Sequence, residues 1–174
     1  MFDFLNMTTG EKLEAIKSGD SYALDILIDD PDPFVRGAIV VYGKEEHVDQ
    51  LVFDSAQPVQ VMIAMERKEE KYLDIVVNTQ DWFVKRIVAL SGIDKYLDIL
   101  VHDESWEVRE AVAGQHRAQD LDILVYDKSP FVREIVAKYG RDKDIDILIQ
   151  DQHWRVYKTA MNQWLKRENV NQNS

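Results

Sequence analysis

At 174 residues with 45% hydrophobic side chains, the chain has enough apolar surface for an independently folded core. It contains no cysteine, which excludes disulfide frameworks, thiolate metal sites and cysteine nucleophiles, and fits a reducing compartment, so a cytoplasmic location is expected. With 32 acidic against 21 basic side chains the net charge is −11, which opposes nonspecific attraction to nucleic acid and anionic membranes.

The opening MFDFLNM carries Asp3, lacks a basic n-region and is too short in apolar residues for a signal peptide; no segment approaches the length of a membrane span. A soluble, unprocessed chain is expected. Residues 1–23 read as an N-terminal capping helix: Thr8-Thr9-Gly10-Glu11 fits a capping box opening a helix to about Ser18, and Phe2, Phe4 and Leu5 are placed to cover the first open core face. This end is the more acidic, since residues 1–60 hold 12 acids and 4 bases.

From Leu24 a phrase repeats, beginning again at Val48, Leu73, Leu97, Leu121 and Ile145, so six units fill residues 24–168 at spacings of 24, 25, 24, 24 and 24. A constant period of this length means a solenoid. Counting each unit's first residue as offset zero, offset one is aspartate throughout: Asp25, Asp49, Asp74, Asp98, Asp122 and Asp146. The LDILV text is too short for a standard helix, so a single α or 3₁₀ turn is expected; a short parallel strand is the alternative, disfavoured because aspartate suits the first turn of a helix.

Offsets eight and nine (Asp32-Pro33, Ala56-Gln57, Asp81-Trp82, Ser105-Trp106, Ser129-Pro130, His153-Trp154) read as N-cap and first residue of a longer helix, with Asp and Ser accepting from orphan amides. Glycine at offset nineteen, as Gly43, Gly92 and Gly140, suits a left-handed stop. Offsets eleven, fourteen, fifteen and eighteen, as in Val132, Ile135, Val136 and Tyr139, have the spacing of one buried face. Alanine at offset sixteen (Ala64, Ala89, Ala113, Ala137) permits close helix approach. After the sixth long helix, residues 169–174 are polar and expected to be disordered.

The text DESWEVREAVA from Asp103, with weaker copies DQHWRVYKTAM and DPDPFVRGAIV, resembles the leucine-rich-variant repeats, relatives of HEAT repeats. The resemblance implies an all-α, right-handed helical-repeat solenoid in which an α-helix alternates with a 3₁₀ helix. It brings no enzyme activity with it. The founding family also holds an iron–sulfur cluster through cysteines, which cannot carry over to a chain without them. HEAT-type repeats stitch neighbouring units with Asp–Arg pairs. By resemblance Asp25, Asp74, Asp98 and Asp122 form such a structural ladder with Arg36, Arg109 and Arg133, alongside Lys85, weakest where Gln60 and Tyr157 replace the cation.

Sites for chemistry are not evident. Asp20, Asp25, Asp29, Asp30 and Asp32 lack the glycine and glutamate of an EF-hand, the four histidines form no i, i+4 pair, and no phosphate-binding glycine loop or nucleophile elbow occurs, so no metal or cofactor is expected. Trp82, Trp106 and Trp154 read as packing between units. What departs from the repeat is the face at offsets ten, thirteen and seventeen, polar in units four to six but apolar in units one to three through Phe34, Val41, Val61, Met65, Phe83 and Leu90.

Such a patch points to a partner-binding surface with an acidic rim; alternatively the N-terminal segment folds over it, or two copies bury it in a homodimer. The leading expectation is a non-catalytic scaffold or adaptor for another protein, without direct nucleic-acid or membrane binding. The alternative is an acidic inhibitor of a nucleic-acid-handling enzyme that imitates phosphates, as mobile elements encode. A helical-repeat DNA glycosylase ranks last, for want of a basic groove.

Overall fold

The computed structural model describes residues 4–171, and every regular element among them is helical. After a 3₁₀ turn at Phe4–Asn6 and a first helix α1 (Thr9–Lys17), seven-residue helices alternate with longer ones. The short ones are α2 (Ser21–Leu27), α4 (Glu45–Leu51), α6 (Glu70–Val76), α8 (Asp94–Leu100), α10 (Ala118–Leu124) and α12 (Asp142–Leu148). The longer ones are α3 (Pro33–Tyr42), α5 (Gln57–Glu66), α7 (Trp82–Leu90), α9 (Trp106–Ala113), α11 (Pro130–Tyr139) and α13 (Trp154–Asn171). The chain divides into two compact units, one up to Val88 and the other from Ala89.

The short segments are therefore two turns of α-helix, longer than the single α or 3₁₀ turn expected, and no strand occurs among the described residues. Each starts about three residues before the repeated text, which the leucine phrase alone does not mark. Seven residues cannot hold a helix in water by themselves. Burial does it: the leucines at offsets zero and three (Leu24 and Leu27, Leu97 and Leu100, Leu121 and Leu124) are almost wholly enclosed, each side chain contributing roughly 1.5–3 kcal/mol. Of the isoleucines between them Ile99 and Ile123 are exposed and Ile26 is half-buried.

In the N-terminal unit α1 packs on α3 and α3 on α5; in the C-terminal unit α9 packs on α11 and α11 on α13. Offsets eleven and fifteen are buried as expected (Val35 and Ile39, Val59 and Ile63, Val132 and Val136), and so are all four offset-sixteen alanines. Offset eighteen is not: Tyr42 and Tyr139 are exposed, because the helix ends at that residue and the chain turns away.

Caps and stops follow their physics only in part. Thr8 and Glu11 form the reciprocal capping box, and Asp32 and Asp81 accept from the amides of Phe34 and Phe83 at 2.9 and 2.8 Å. Ser105 and Ser129 sit at N-cap positions without a side-chain cap bond; the Ser105 hydroxyl donates to Glu107 instead, at 2.5 Å. Gly92 has φ of 72°, the expected left-handed stop, but Gly43 and Gly140 are extended, with φ of −78° and −68°. Their glycines answer to space. A Cβ there would lie 2.5 Å from the carbonyl oxygen of Ile39 or Val136.

At the ends, Phe4 is buried as expected, while Phe2 lies outside the described residues. α13 continues through Asn169–Asn171, part of the stretch read as a disordered tail; the remaining residues of that tail are not among those described.

Candidate protein-interaction groove and the ladders that hold it

The inter-repeat ladder differs from the expected one in its carboxylates. Arg36 does not reach Asp25; its Nε and Nη2 donate to Asp54 at 2.6 and 3.2 Å, and its Nη1 donates to the Asp30 carbonyl at 2.6 Å. Arg109 holds Asp127 in the same fork, at 2.6 and 2.9 Å, and the Asp103 carbonyl at 2.6 Å. Arg133 repeats the pattern on Asp151 and the Asp127 carbonyl. The partner is thus the offset-six aspartate of the following unit, in the loop before its long helix, where it also accepts the amide two residues on and fixes the turn.

Two further rungs show the same geometry with other chemistry. Lys12 of α1 donates to the buried Asp30 at 2.6 Å, so α1 stands to α3 as each long helix stands to the next. Gln60, which replaces the cation of other units and where the ladder was expected to be weakest, donates to the Asp54 carbonyl at 3.2 Å and accepts from the Thr79 hydroxyl at 2.9 Å. Thr79 occupies the offset-six place, so both partners changed together. Burial of the Asp54 carboxyl pushes its pKa up, but the Arg36 guanidinium and the Ala56 amide outweigh this and hold it below the ordinary range. Asp151 behaves likewise, opposed by burial and lowered by Arg133 and the His153 amide.

The offset-one aspartates form a second ladder, at the surface. Asp25 accepts from His47 Nε2 at 3.0 Å, since His47 Nδ1 already accepts the Lys44 amide. Asp49 accepts from Tyr72 at 2.9 Å. Asp98 and Asp122 meet Arg117 and Arg141, which also clamp the buried Asp120 and Asp144, and Asp146 meets Arg167. His47, Tyr72 and each clamped acid occupy the place just before the next unit's first residue, and Lys71 adds a second bond to Asp49. Asp74 belongs to the same row by position.

The N-terminal unit carries an open groove of about 500 Å³ across α1, α3 and α5. Three of the predicted contact residues line it, Phe34, Val41 and Val61, joined by Leu13, Pro58 and Met62. Its floor is set by Gly37, where a Cβ would come within 3.3 Å of Met62 Cγ, so the absence of a side chain lets α3 and α5 close up. α1 walls the groove without covering it, and Phe34 remains 67% exposed. Met65 and Phe83 are exposed but outside the lining, Phe83 lying edge-on to Trp82 with centroids 5.7 Å apart; Leu90 is exposed in the other unit. Trp82 and Trp154 are also exposed, and Trp106 alone of the three is seen stacked on the next repeat, 4.7 Å from Phe131.

No family model matches the chain, and no curated protein does. Among solved structures the chain is similar to one described as a leucine-rich repeat variant with a novel repetitive protein structural motif, at 27% identity and a TM-score of 0.79, over 90% of this chain and 67% of that one. The chain is a helical-repeat protein of the leucine-rich-variant type. A leucine-rich variant of this build suggests, at a coarse level, an interaction scaffold and not an enzyme.

Several residues of this leucine-rich variant escaped the sequence reading. Asp54, Asp127 and Asp151 stand at an offset that is aspartate in all units but the third, and Arg117 and Arg141 open the parallel texts RAQD and RDKD. Leu13 and Lys17 of the groove lie outside the repeated phrase. Among the described residues no group of three or more acidic or histidine side chains is arranged to hold a metal, and no helix is long and apolar enough to cross a membrane.

Proposed function

We propose that the protein is a non-catalytic scaffold that binds another protein through the apolar groove across α1, α3 and α5. The observation that carries this is a concave surface of about 500 Å³ lined by Phe34, Val41, Val61 and Met62, left open by the N-terminal helix beside it. A groove of that size lies within the range of ordinary ligand pockets, and water gains nothing from wetting it. Phe34 supports the reading from the energetic side. A phenylalanine two-thirds exposed at a helix start gives up burial energy that docking would recover.

The finer assignment rests on the contact residues within the groove, with Met65 as a flanking contact; Phe83 and Leu90 belong to the predicted face but not to the groove. The test is a partner isolated on the wild-type protein, produced separately and titrated against wild type, Phe34→Ser and Val61→Lys. Both substitutions lie at accessible positions and leave folding within about 0.5–1 kcal/mol. A loss of affinity of tenfold or more in each, with unchanged circular dichroism, is expected. Equal binding by all three proteins refutes the assignment.

A further inference from the structure

We infer that the segment received by the groove is an amphipathic stretch of another protein whose apolar side chains are flanked by lysine or arginine. The inference rests on the groove being the docking site, and it adds the charge of the occupant. The unit up to Val88 holds 17 acidic and 9 basic side chains. Its basic side chains are mostly spoken for: Lys12 is taken by Asp30, Lys17 by Glu14, Arg36 by Asp54, Lys44 by Glu46, and Lys71 by Glu45 and Asp49, while Arg67 donates to the carbonyls of Val40 and Gly43.

At the groove itself the two signs are equal in number, but only the negative one is left open. Two charged side chains line it, Lys17 and Glu66. Lys17 is held by Glu14 at 3.0 Å, whereas Glu66 is exposed and makes no hydrogen bond or ion pair among the described residues. An incoming chain therefore meets an apolar trough with one open carboxylate on its lip and a surplus of negative charge around it. A cation beside the apolar stripe gains from both, through the field during approach and through a direct pair with Glu66 once seated. A second copy of this chain is the wrong sign, since the same acidic unit would face itself.

The probe is a labelled helical model peptide of about four turns, leucine on one face and lysine on the other, compared with its leucine–glutamate counterpart by fluorescence anisotropy. The leucine–lysine peptide is expected to bind at least roughly tenfold more tightly than the glutamate version, and Glu66→Lys to weaken it several-fold at low salt and less at high salt. Val61→Glu makes the unit more acidic while spoiling the trough. It is expected to weaken the lysine peptide by tenfold or more, and Phe34→Ser to do so without any change of charge.

Undiminished binding to Val61→Glu and Phe34→Ser would show attachment to the acidic surface at large and overturn the inference. Equal binding of the two peptides, lost in Phe34→Ser, would overturn the charge of the occupant while leaving the groove as the docking site. Binding of neither peptide would also overturn it; the groove reading then stands or falls with the partner titration. A wild-type dimer by sedimentation that Val61→Glu dissociates would make the occupant a second copy, against the inference.

Discussion

Replacing Arg109 by methionine isolates what one rung of the buried ladder contributes. The residue is enclosed to all but 5% of its surface, and its guanidinium makes four hydrogen bonds, two to Asp127 at 2.6 and 2.9 Å and two to the carbonyls of Asp103 and Glu104 at 2.6 and 2.9 Å. Methionine keeps much of the stem's packing but strands the Asp127 carboxylate, itself 5% exposed, with only the Ser129 amide as a partner. Removing one member of a buried pair destabilises by about 3–5 kcal/mol, because the remaining charge has lost its water and its counter-ion.

Asp127→Asn retains an acceptor for the Ser129 amide, so the double variant Arg109→Met/Asp127→Asn removes the orphan charge without undoing the turn. It is expected to be more stable than Arg109→Met alone by about 1–3 kcal/mol, although it carries one more substitution. Urea titration by circular dichroism, with slopes compared, measures both. A single-variant loss under about 1 kcal/mol, or a double variant no better than the single, would refute the idea that the pair is stitched by a desolvated charge. The surface ladder supplies the contrast, since Asp98→Ala, at a carboxylate 61% exposed, is expected to change stability by less than about 1 kcal/mol.

Acid should loosen two other rungs of the buried ladder, those of Asp54 and Asp151. Asp54 and Asp151 have folded-state pKa values below the ordinary carboxylate value, so the stability they contribute is present above the unfolded pKa and is lost as pH falls through the folded one. Thermal midpoints should hold near neutrality and decline below about pH 4, less steeply in Asp54→Asn. Gly140→Ala, forced to place a Cβ 2.5 Å from the Val136 carbonyl, is expected to be destabilised by about 1–3 kcal/mol and more than Gly92→Ala, whose obstacle is a left-handed backbone. Among caps, Asp32→Ala should lower stability by about 1 kcal/mol, while Ser105→Ala should be nearly neutral because no amide bonds to that hydroxyl.

The period, the order of short and long helices and the start of every long helix were legible, because hydrophobic spacing and the N-cap positions state them directly. The partners of the arginines were not. Aspartate stands at offset one in six units and at offset six in five, and spacing cannot tell which lies opposite a guanidinium. Only the turn before the long helix, folded by the aspartate's own bond to a nearby amide, brings the second set within reach. Glycine was similarly ambiguous, since a left-handed turn and a lack of room are written with the same letter. Phe34, Val41 and Val61 could be placed by the face rule, whereas Met62 sits at an offset read as buried and is half-buried on the groove.

The paired exchange at Gln60 and Thr79 has an implication for anyone who would rebuild this array. Donor and acceptor sit on opposite sides of the textual border between consecutive phrases, so a graft cut at the leucine would marry Gln60 to an aspartate or an arginine to Thr79. A workable module begins instead just after the offset-six residue and ends on that of its successor. Cut there, each transplanted piece would travel with its own matching hook and eye.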